Sequence, residues 1–431
     1  MGSSRVSLTA LPRWAAWGAG AKPPAGRPPG FAEAAAAPEK SHSRRWADRF
    51  HEAMADFAFL PAGRILAGAG TGRDVTLFNC FVMGRIEDDL SAIFEGVKEG
   101  ALTMQQGGGV GYDFSTLRPR GVQAAGVGSV ASGPVSFMRI WDSMCATILS
   151  TGARRGAMMG TLRCDHPDIE EFIAAKQDRS QLRHFNISVL VSDAFMAAVS
   201  RDEDWPLVFP ANESETGGEL LVRTWSGYDN AVPCKVYKRI RARELWQKIM
   251  RANYDYAEPG VLFIDRINRL NNLYYCETIQ TTNPCGEVPL PPYGACNLGS
   301  INLTQFVRDS FTAQARLDFD AIGATVATAV RLLDNVIDVS LFPLVRQAEQ
   351  AQRSRRIAFA VAAGVGWALY IVITQHVGDR FAGVDGLAIS LPVAAVVAAT
   401  VGLPQAWGHL TLPVLAVDQS ERRDMRATFR R

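Results

Sequence analysis

The chain has 431 residues, enough for one large α/β domain with an appendage, because single cores rarely exceed about 300 residues. Its 45 basic and 43 acidic residues leave a formal charge of +2, which excludes an overall field that would recruit DNA, RNA or an anionic membrane. The seven cysteines are odd in number and include no Cys-x-x-Cys pair, which argues for a reducing cytoplasm over a secreted disulfide framework. No histidine lies at zinc-ligand spacing from a cysteine or another histidine, so we expect no metal site.

The first 44 residues are rich in Ala, Gly and Pro, and the run Pro23–Gly30 cannot hold regular hydrogen-bonded structure. We therefore expect residues 1–44 to form a flexible leader. Pro12 and Arg13 interrupt the apolar residues near the N-terminus, so a signal peptide is not expected.

Alternating helical and strand patterns begin at Arg45 and predict an α/β fold. Apolar residues spaced three and four apart indicate helices at about 45–57, 88–105, 134–150, 242–256 and Phe319–Ser340. Short apolar runs indicate buried strands at Thr76–Met83, Phe185–Val191 and Gly260–Asp265. The sequence Asp165-His166-Pro167-Asp168 indicates a helix start, in which His166 is a packing residue and not a base.

The composition of the chain changes after residue 345, where long runs without charged residues begin. Ile357–Gln375 has no charged residue across 19 positions, and Gly386–Val417 has none across 32, whereas about 20 apolar residues suffice to cross a bilayer. These two runs are candidate transmembrane helices of an apolar tail, residues 346–431. Arg353, Arg355 and Arg356 precede the first run and favour a cytoplasmic start. The alternative is a buried helix of a soluble enzyme.

The richest chemical cluster is the segment Thr281–Ser300. Its prolines and glycines forbid a long helix, so we expect Cys285 on a tight loop and Cys296 near the start of the next strand. In an extended segment, Asn283, Cys285 and Glu287 would share one face and offer an amide, a thiol and a carboxylate. That trio suits radical and proton chemistry on a sugar. A proline-rich loop with one buried cysteine is the alternative.

The motif Asn283-Pro-Cys285-Gly-Glu287, followed by Cys296 in Gly-Ala-Cys-Asn-Leu-Gly-Ser-Ile-Asn-Leu, resembles the active-site finger loop of ribonucleotide reductases. Pro61–Gly70, Leu77–Val82, Gln105–Arg120 and Gly152–Leu162 also resemble segments of this family. The resemblance runs from about residue 45 to 345. It implies the first half of a ten-stranded α/β barrel with its finger loop, followed by the apolar helical tail.

The resemblance implies a role for each of five residues. Cys285 would become a thiyl radical that removes the 3′ hydrogen of a ribonucleotide, and Glu287 would accept the 3′ hydroxyl proton, with Asn283 holding a hydroxyl. Cys80 and Cys296 would supply a proton and two electrons and end as a disulfide, which requires their Cα atoms to lie within about 7 Å. A thioredoxin or glutaredoxin-like reductant would regenerate the two thiols.

Two further residues are assigned to the substrate pocket by the resemblance, Asn79 and Gly109. The glycine run at 107–111 is not a dinucleotide fingerprint, because Tyr112 stands where the third glycine would be needed. Glycine there allows a backbone to approach a ligand closely.

The resemblance also implies an allosteric site for a deoxynucleoside triphosphate near a homodimer interface. Its contacts would be Asp88, Arg118, Arg154 and Arg155, since arginine suits phosphate. Glu87 and Asp89 compete with Asp88 for the acidic contact. Solvated surface charge is the alternative for the arginines.

The sequences of Ala101–Gly109 and Gly111–Arg120 are most similar to those of adenosylcobalamin-dependent reductases. This resemblance implies ribonucleoside diphosphates as substrates. Gly364–Gly378 weakly resembles the drug/metabolite transporter (EamA-like) family, which indicates a fused or misassembled reading frame after a truncated catalytic region. We therefore expect the isolated chain to turn over no nucleotide. The alternatives are a non-catalytic, membrane-tethered nucleotide-binding protein and a transporter fragment.

Overall fold

The computed structural model describes residues 30–122, 130–148, 156–178, 180–211, 217–228 and 230–353. The α-helices within these ranges are α1 Phe31–Ala36, α2 Ser43–Met54, α3 Gly63–Gly68, α4 Leu90–Gln105, α5 Pro134–Thr147, α6 Ile169–Ala174, α7 Asp193–Arg201, α8 Ala242–Tyr256, α9 Ile264–Leu270 and α10 Phe319–Val339. The strands are β1 Phe59–Pro61, β2 Cys80–Val82, β3 Gly109–Asp113, β4 Met158–Arg163, β5 Phe185–Val191, β6 Asp204–Pro210, β7 Leu220–Arg223, β8 Val232–Arg241, β9 Gly260–Phe263, β10 Thr281–Thr282, β11 Pro289–Leu290, β12 Ala295–Cys296, β13 Gly299–Ile301, β14 Val307–Arg308 and β15 Arg316–Leu317.

The central element is a six-stranded, curled sheet of half-barrel form with the order β12-β2-β3-β4-β5-β9. Strands β2, β3, β4, β5 and β9 are parallel, and β12 joins the edge at β2 in the antiparallel sense. Helices lie between successive parallel strands, as parallel pairing requires. The α/β fold predicted from the sequence is therefore confirmed.

The core is built on the helix side of this sheet. The rings of Tyr112 on β3 and of Phe114, just after β3, pack against Trp141 of α5 at centroid distances of 5.5 and 5.2 Å. Tyr112 donates a hydrogen bond from its hydroxyl to the carbonyl of Gly96 at 2.9 Å, so the buried phenol is satisfied. This packing fixes β3, on which part of the site is built.

A second core joins the N-terminal helices to α10. Ala35 and Ala36 of α1 and Phe50 of α2 are fully buried in one cluster with Leu332 and Val336. The leader predicted for residues 1–44 is therefore wrong for residues 31–44, which form α1, a 3₁₀ turn, Ala37–His42, and the start of α2. Residues 1–29 lie outside the described part of the chain.

The predicted start of the foreign tail, residue 346, is also too early. Gln347 is fully buried, its Nε2 donates to Thr103 Oγ1 at 3.1 Å, and its Oε1 accepts from the backbone N–H of Leu344 at 3.2 Å. The first compact unit of the chain accordingly extends to Gln352. Both apolar runs proposed as transmembrane helices lie outside the described residues, and no helix within the described ranges has the length and apolar character to cross a membrane.

Candidate active site

Two of the predicted site cysteines are cross-strand neighbours. Cys80 on β2 stands directly opposite Cys296 on β12 in the antiparallel register. Such opposed residues have Cα atoms about 4.5–5.5 Å apart, within the range that a disulfide requires. Both side chains are buried, and the structure has them as thiols. The spacing expected from the resemblance is therefore present in the fold.

The environment of this pair holds Cys296 in the protonated form. Its hydrogen bond with Cys80, followed by burial, raises the pKa of the Cys296 thiol, and the nearby Glu287 and Cys285 raise it further. Cys285 of the finger loop lines the same cavity as Cys80, so the loop reaches the pair. A protonated thiol is the form that can give up a proton together with electrons.

The finger loop is the tip of a short hairpin. Strands β10 and β11 pair through Thr281 with Leu290 and Thr282 with Pro289, so that residues 283–288 form the turn. Asn283 holds the turn closed, because its Oδ1 accepts from Val288 N at 3.0 Å and its carbonyl accepts from Gly286 N at 3.1 Å. Cys285 therefore lies on a tight loop, as predicted, whereas Cys296 lies on β12, the second strand after that loop and not the next one.

One detail of the prediction is wrong. Asn283, Cys285 and Glu287 do not share a face of an extended segment, because the chain turns at Gly286, where φ is +85°. Asn283 is fully buried, whereas Cys285 and Glu287 are exposed. The amide thus lies inside the structure, with the thiol and the carboxylate at its surface.

Hydrogen bonds hold the finger hairpin on the sheet, and glycines on β3 allow the two to pack closely. Asn186 Nδ2 on β5 donates to the carbonyl of Pro284 at 2.7 Å, and Thr161 on β4 bonds to Thr281 between hydroxyls at 3.1 Å. A Cβ on Gly109 would lie 2.7 Å from Pro284 Cγ, and one on Gly111 would overlap the carbonyl oxygen of Thr282. The glycines of β3 therefore admit the protein's own finger loop, in addition to any approach to substrate.

A cavity opens between the finger loop and the edge of the sheet. Its lining includes Cys285, Cys80, Asn79 and Gly109, and adds Arg64 from α3. Gly109 pairs with Cys80 in the parallel register, and its N–H donates to the carbonyl of Asn79 at 2.9 Å. The structure thus brings two predicted catalytic residues and both predicted substrate residues to one cavity, whose lining does not include Asn283, Glu287 or Cys296.

Two amide groups in this region lack partners. Asn79 Oδ1 and Asn283 Nδ2 are buried and have no hydrogen-bond partner among the described residues. An unmet buried polar atom costs about 1–3 kcal/mol, so such atoms mark places where a ligand can complete the bonding. Asn79 lines the cavity, so its unmet acceptor suits a hydroxyl of a sugar, whereas Asn283 is not among the lining residues.

Three residues that sequence reasoning did not single out contribute to the site: Arg64, Thr161 and Asn186. Arg64 lies in Pro61–Gly70, whose likeness to the family was noticed without a role being given to the arginine. Thr161 likewise lies in Gly152–Leu162, which resembles the family, and was given no role. Asn186 carries no local signal, because it acts through a contact with the distant finger loop.

The predicted effector residues are partly described. Arg118 Nε donates to Asp88 Oδ2 at 2.7 Å, and its backbone N–H donates to Oδ1 at 3.1 Å. Burial raises the pKa of Asp88, and its bonds with Arg118 oppose that rise. Glu87 pairs with Arg85 and Asp89 caps α4, which leaves Asp88 as the acidic residue in contact with Arg118. Arg154 and Arg155 lie outside the described residues.

Comparison with known proteins agrees with this geometry. Residues 78–368 match the family model described as "Ribonucleotide reductase, barrel domain". The chain is 42% identical over 324 residues to a vitamin B12-dependent ribonucleoside-diphosphate reductase of Mycobacterium tuberculosis (strain CDC 1551 / Oshkosh), covering 75% of this chain and 43% of the relative.

A Thermoplasma acidophilum protein with the same name is 41% identical over 315 residues, covering 73% of this chain and 38% of the relative. The ribonucleoside-diphosphate reductase subunit alpha of Chlamydia pneumoniae is 28% identical over 334 residues, covering 74% and 31%. The chain thus spans about two fifths of the length of the B12-dependent relatives. This chain belongs to the ribonucleotide reductase family.

Proposed function

We propose that this chain carries the thiol chemistry of an adenosylcobalamin-dependent reductase that converts ribonucleoside diphosphates to 2′-deoxyribonucleotides for DNA synthesis. The observation that carries the proposal is the opposed pair Cys80 and Cys296 beside the exposed Cys285. The names of the relatives support the substrate class and the cofactor.

In this proposal Cys285, as a thiyl radical, takes the 3′ hydrogen of the ribose while Glu287 accepts the proton of the 3′ hydroxyl. Asn283 and Asn79 hold the sugar hydroxyls. The 2′ hydroxyl takes a proton from one thiol of the pair and leaves as water, and the 2′ carbon takes a hydrogen atom from the other thiol. The remaining electron of the pair reduces the 3′ position while Glu287 returns its proton to the 3′ oxygen, so that Cys80 and Cys296 have given two protons and two electrons and become a disulfide. The 3′ hydrogen then returns from Cys285, so its thiyl radical is restored.

The radical source would act at Cys285. When bound, adenosylcobalamin supplies a radical by breaking its cobalt–carbon bond. The exposure of Cys285 at the tip of a turn fits such a source, because its sulfur can be reached from outside while Cys80 and Cys296 stay buried. Glu287, also exposed, lies on the same turn.

Two partners follow from the same proposal. A thioredoxin or glutaredoxin-like dithiol would reduce the disulfide after each cycle. A second copy of the chain would pack on α4, where Leu90 and Phe94 are 62% and 50% exposed, next to the effector residues Asp88 and Arg118. Apolar side chains so exposed on one helix are typical of an interface.

The proposal also covers the rest of the barrel, the cellular location and the apolar tail. The six-stranded sheet would be the first half of the family's ten-stranded barrel, working in the cytoplasm. The apolar runs would be a foreign tail with the weak transporter likeness, although the family match reaches residue 368. Sequencing the DNA across codons 340 to 370 tests this, since an uninterrupted reductase frame there would refute a fused or misassembled tail.

A protection experiment tests the substrate site. We expect cytidine diphosphate to slow alkylation of Cys285 by iodoacetamide in the purified chain, followed by mass spectrometry of the peptide. Cys276, which lies outside the cavity lining, serves as the internal control. Equal rates with and without the diphosphate would contradict the proposed substrate. The chain alone, with adenosylcobalamin and dithiothreitol, should form no deoxycytidine diphosphate, and product would refute the expected inactivity.

A further inference from the structure

The first three residues of β5 have a backbone edge that no described strand covers. Strand β9 pairs with β5 only from Ser188 onward, whereas β4 already pairs with Phe185 on the other side. In a strand, the backbone groups of alternate residues point to the same edge. The carbonyl of Phe185 and the N–H of Ile187 therefore face the side where β9 has not begun, and each needs a partner there.

Two charged side chains supply these partners. Lys176 Nζ donates to the Phe185 carbonyl at 2.6 Å, and Glu258 Oε1 accepts from Ile187 N at 2.9 Å. The ammonium group and the carboxylate lie 3.0 Å apart, and only 16% and 20% of their side-chain surfaces are exposed. An ion pair thus takes the place of a neighbouring strand along residues 185–187.

Asn186 lies between the two residues that the ion pair holds. Its side chain points to the face of the sheet opposite to the buried side chains of Phe185 and Ile187, because side chains alternate along a strand. On that face its Nδ2 donates to the carbonyl of Pro284 at 2.7 Å. Pro284 immediately precedes Cys285, so a displacement of β5 at Asn186 would shift the loop that carries the thiol.

We propose that Lys176 and Glu258 are positioning residues for Cys285 that act through Asn186, an inference that rests on the proposed function of this thiol. The ion pair fixes the backbone on both sides of Asn186. The asparagine amide then holds the finger loop by the carbonyl next to the thiol. Neither charged residue is among those that line the cavity beside Cys285, so their effect on the sulfur is transmitted by β5.

A purely structural role is the competing explanation, because removing one partner of a mostly buried ion pair leaves the other charge uncompensated. That role would lower the melting temperature of Glu258→Ala, and its effect on Cys285 would not depend on Asn186. The two explanations therefore differ in whether changes at Glu258 and Asn186 act independently.

The test measures the rate at which iodoacetamide alkylates Cys285 in the full chain, by mass spectrometry of the peptide, without nucleotide. We expect Asn186→Ala to raise this rate about 3- to 10-fold, the change that loss of one hydrogen bond makes in a local opening equilibrium. Glu258→Ala should raise it about 2- to 10-fold, and the double variant should match Asn186→Ala alone. Glu258→Gln, whose amide oxygen can still accept from Ile187 N, should stay within about twofold of the wild type.

Two controls detect a general loosening of the fold. Cys164 is buried and should stay unmodified in every variant. Glu170→Ala breaks the ion pairs of Glu170 with Lys238 and Lys248, which lie outside the cavity lining, and should leave the rate at Cys285 unchanged. An equal rise of the Cys285 rate in Glu170→Ala would refute a specific role of the Glu258 ion pair.

A rate at Cys285 that Asn186→Ala or Glu258→Ala leaves unchanged, or factors that multiply in the double variant, would overturn the inference and leave the proposed function intact. A wild-type Cys285 that cytidine diphosphate does not protect would overturn the proposed function, whereas the dependence of Glu258 on Asn186 would still be measured. If Glu258→Ala does not fold, so that Cys164 becomes modified, Lys176→Met removes the donor to the Phe185 carbonyl and takes its place in the same comparison.

Discussion

Cys80 and Cys296 come from distant parts of the chain and meet as directly opposed residues of β2 and β12. Because β12 runs antiparallel to an otherwise parallel sheet, it brings the loop after the finger hairpin back to the first strand. The pair is therefore a product of sheet topology, and its two thiols are positioned before any substrate arrives.

This arrangement predicts a selective disulfide. We expect mild oxidation with a small disulfide to join Cys80 to Cys296 and to lower the thiol count in denaturant from seven to five, because the two Cα atoms already lie within bridging distance. Peptide mapping under non-reducing conditions measures the link. Cys80→Ser should keep six thiols after the same treatment, and an intramolecular link that excludes Cys296 in the wild type would contradict the assignment.

The close seating of the finger loop makes a second prediction. Gly111→Ala should lower the free energy of unfolding by about 1–3 kcal/mol, because the added methyl group would overlap the carbonyl of Thr282 and force the hairpin off the sheet. The midpoint of urea unfolding measures the loss.

Gly323 provides the matched control. It lies within α10, and a Cβ placed there would have no atom within 4 Å apart from its chain neighbours and the backbone of its own helix. Gly323→Ala should therefore stabilise the chain by about 0.5–1 kcal/mol through its higher helix propensity. Two variants with changes of the same sign and size would show that the hairpin does not press on β3.

Sequence patterns predicted those helices and strands in which apolar residues recur at the spacing of the element. The apolar run Phe185–Val191 coincides with β5, and the helical spacing at 242–256 coincides with α8, because strand and helix periods are local properties. The helix α1 was missed because its Ala-rich sequence has no clear polar face. Its stability comes from packing of Ala35 and Ala36 against α10, which no local pattern reveals.

In the site, too, local sequence patterns revealed some residues, and contacts between distant segments determine the others. The thiols and the finger loop could be found because their spacing resembles a family, whereas Asn186 and Thr161 act only through contacts across the sheet. The extended face expected for Asn283, Cys285 and Glu287 was wrong because Gly286 turns the chain between them. Such a turn depends on the pairing of β10 with β11, which closes the hairpin.

The boundary of the tail gives a third prediction. Gln347→Ala should destabilise the chain by about 1–3 kcal/mol, because it leaves a cavity and removes the bond to Thr103 inside the core. Glu349→Ala, at an exposed position two residues later, should change the stability by less than about 0.5 kcal/mol. Equal stability of both variants, measured by urea unfolding, would return the boundary to residue 346.

The last prediction concerns His166, which is fully buried under the C-terminal end of β4. Its Nε2 lies 3.0 Å from the carbonyl of Leu117 and donates to it, while Nδ1 accepts from Asp168 N at 3.0 Å. The bond that Nδ1 accepts requires the neutral ring, and burial lowers the pKa of His166 from 6.5 to about 4. The unfolded chain therefore binds more protons than the folded chain between these two pH values, and this contribution to stability is lost as pH falls from 6.5 to 4.

A comparison with His166→Gln isolates this effect from Asp168, whose pKa burial raises to about 6 and whose titration acts in the opposite sense. At pH 8 the variant should be about 1–3 kcal/mol less stable than the wild type, because glutamine cannot make both bonds in the same geometry. Each pKa unit corresponds to about 1.4 kcal/mol, so this deficit should shrink by up to about 3 kcal/mol between pH 6.5 and 4. Urea unfolding across that range measures it, and a deficit independent of pH would mean that the imidazole is charged in the fold or exchanges with solvent.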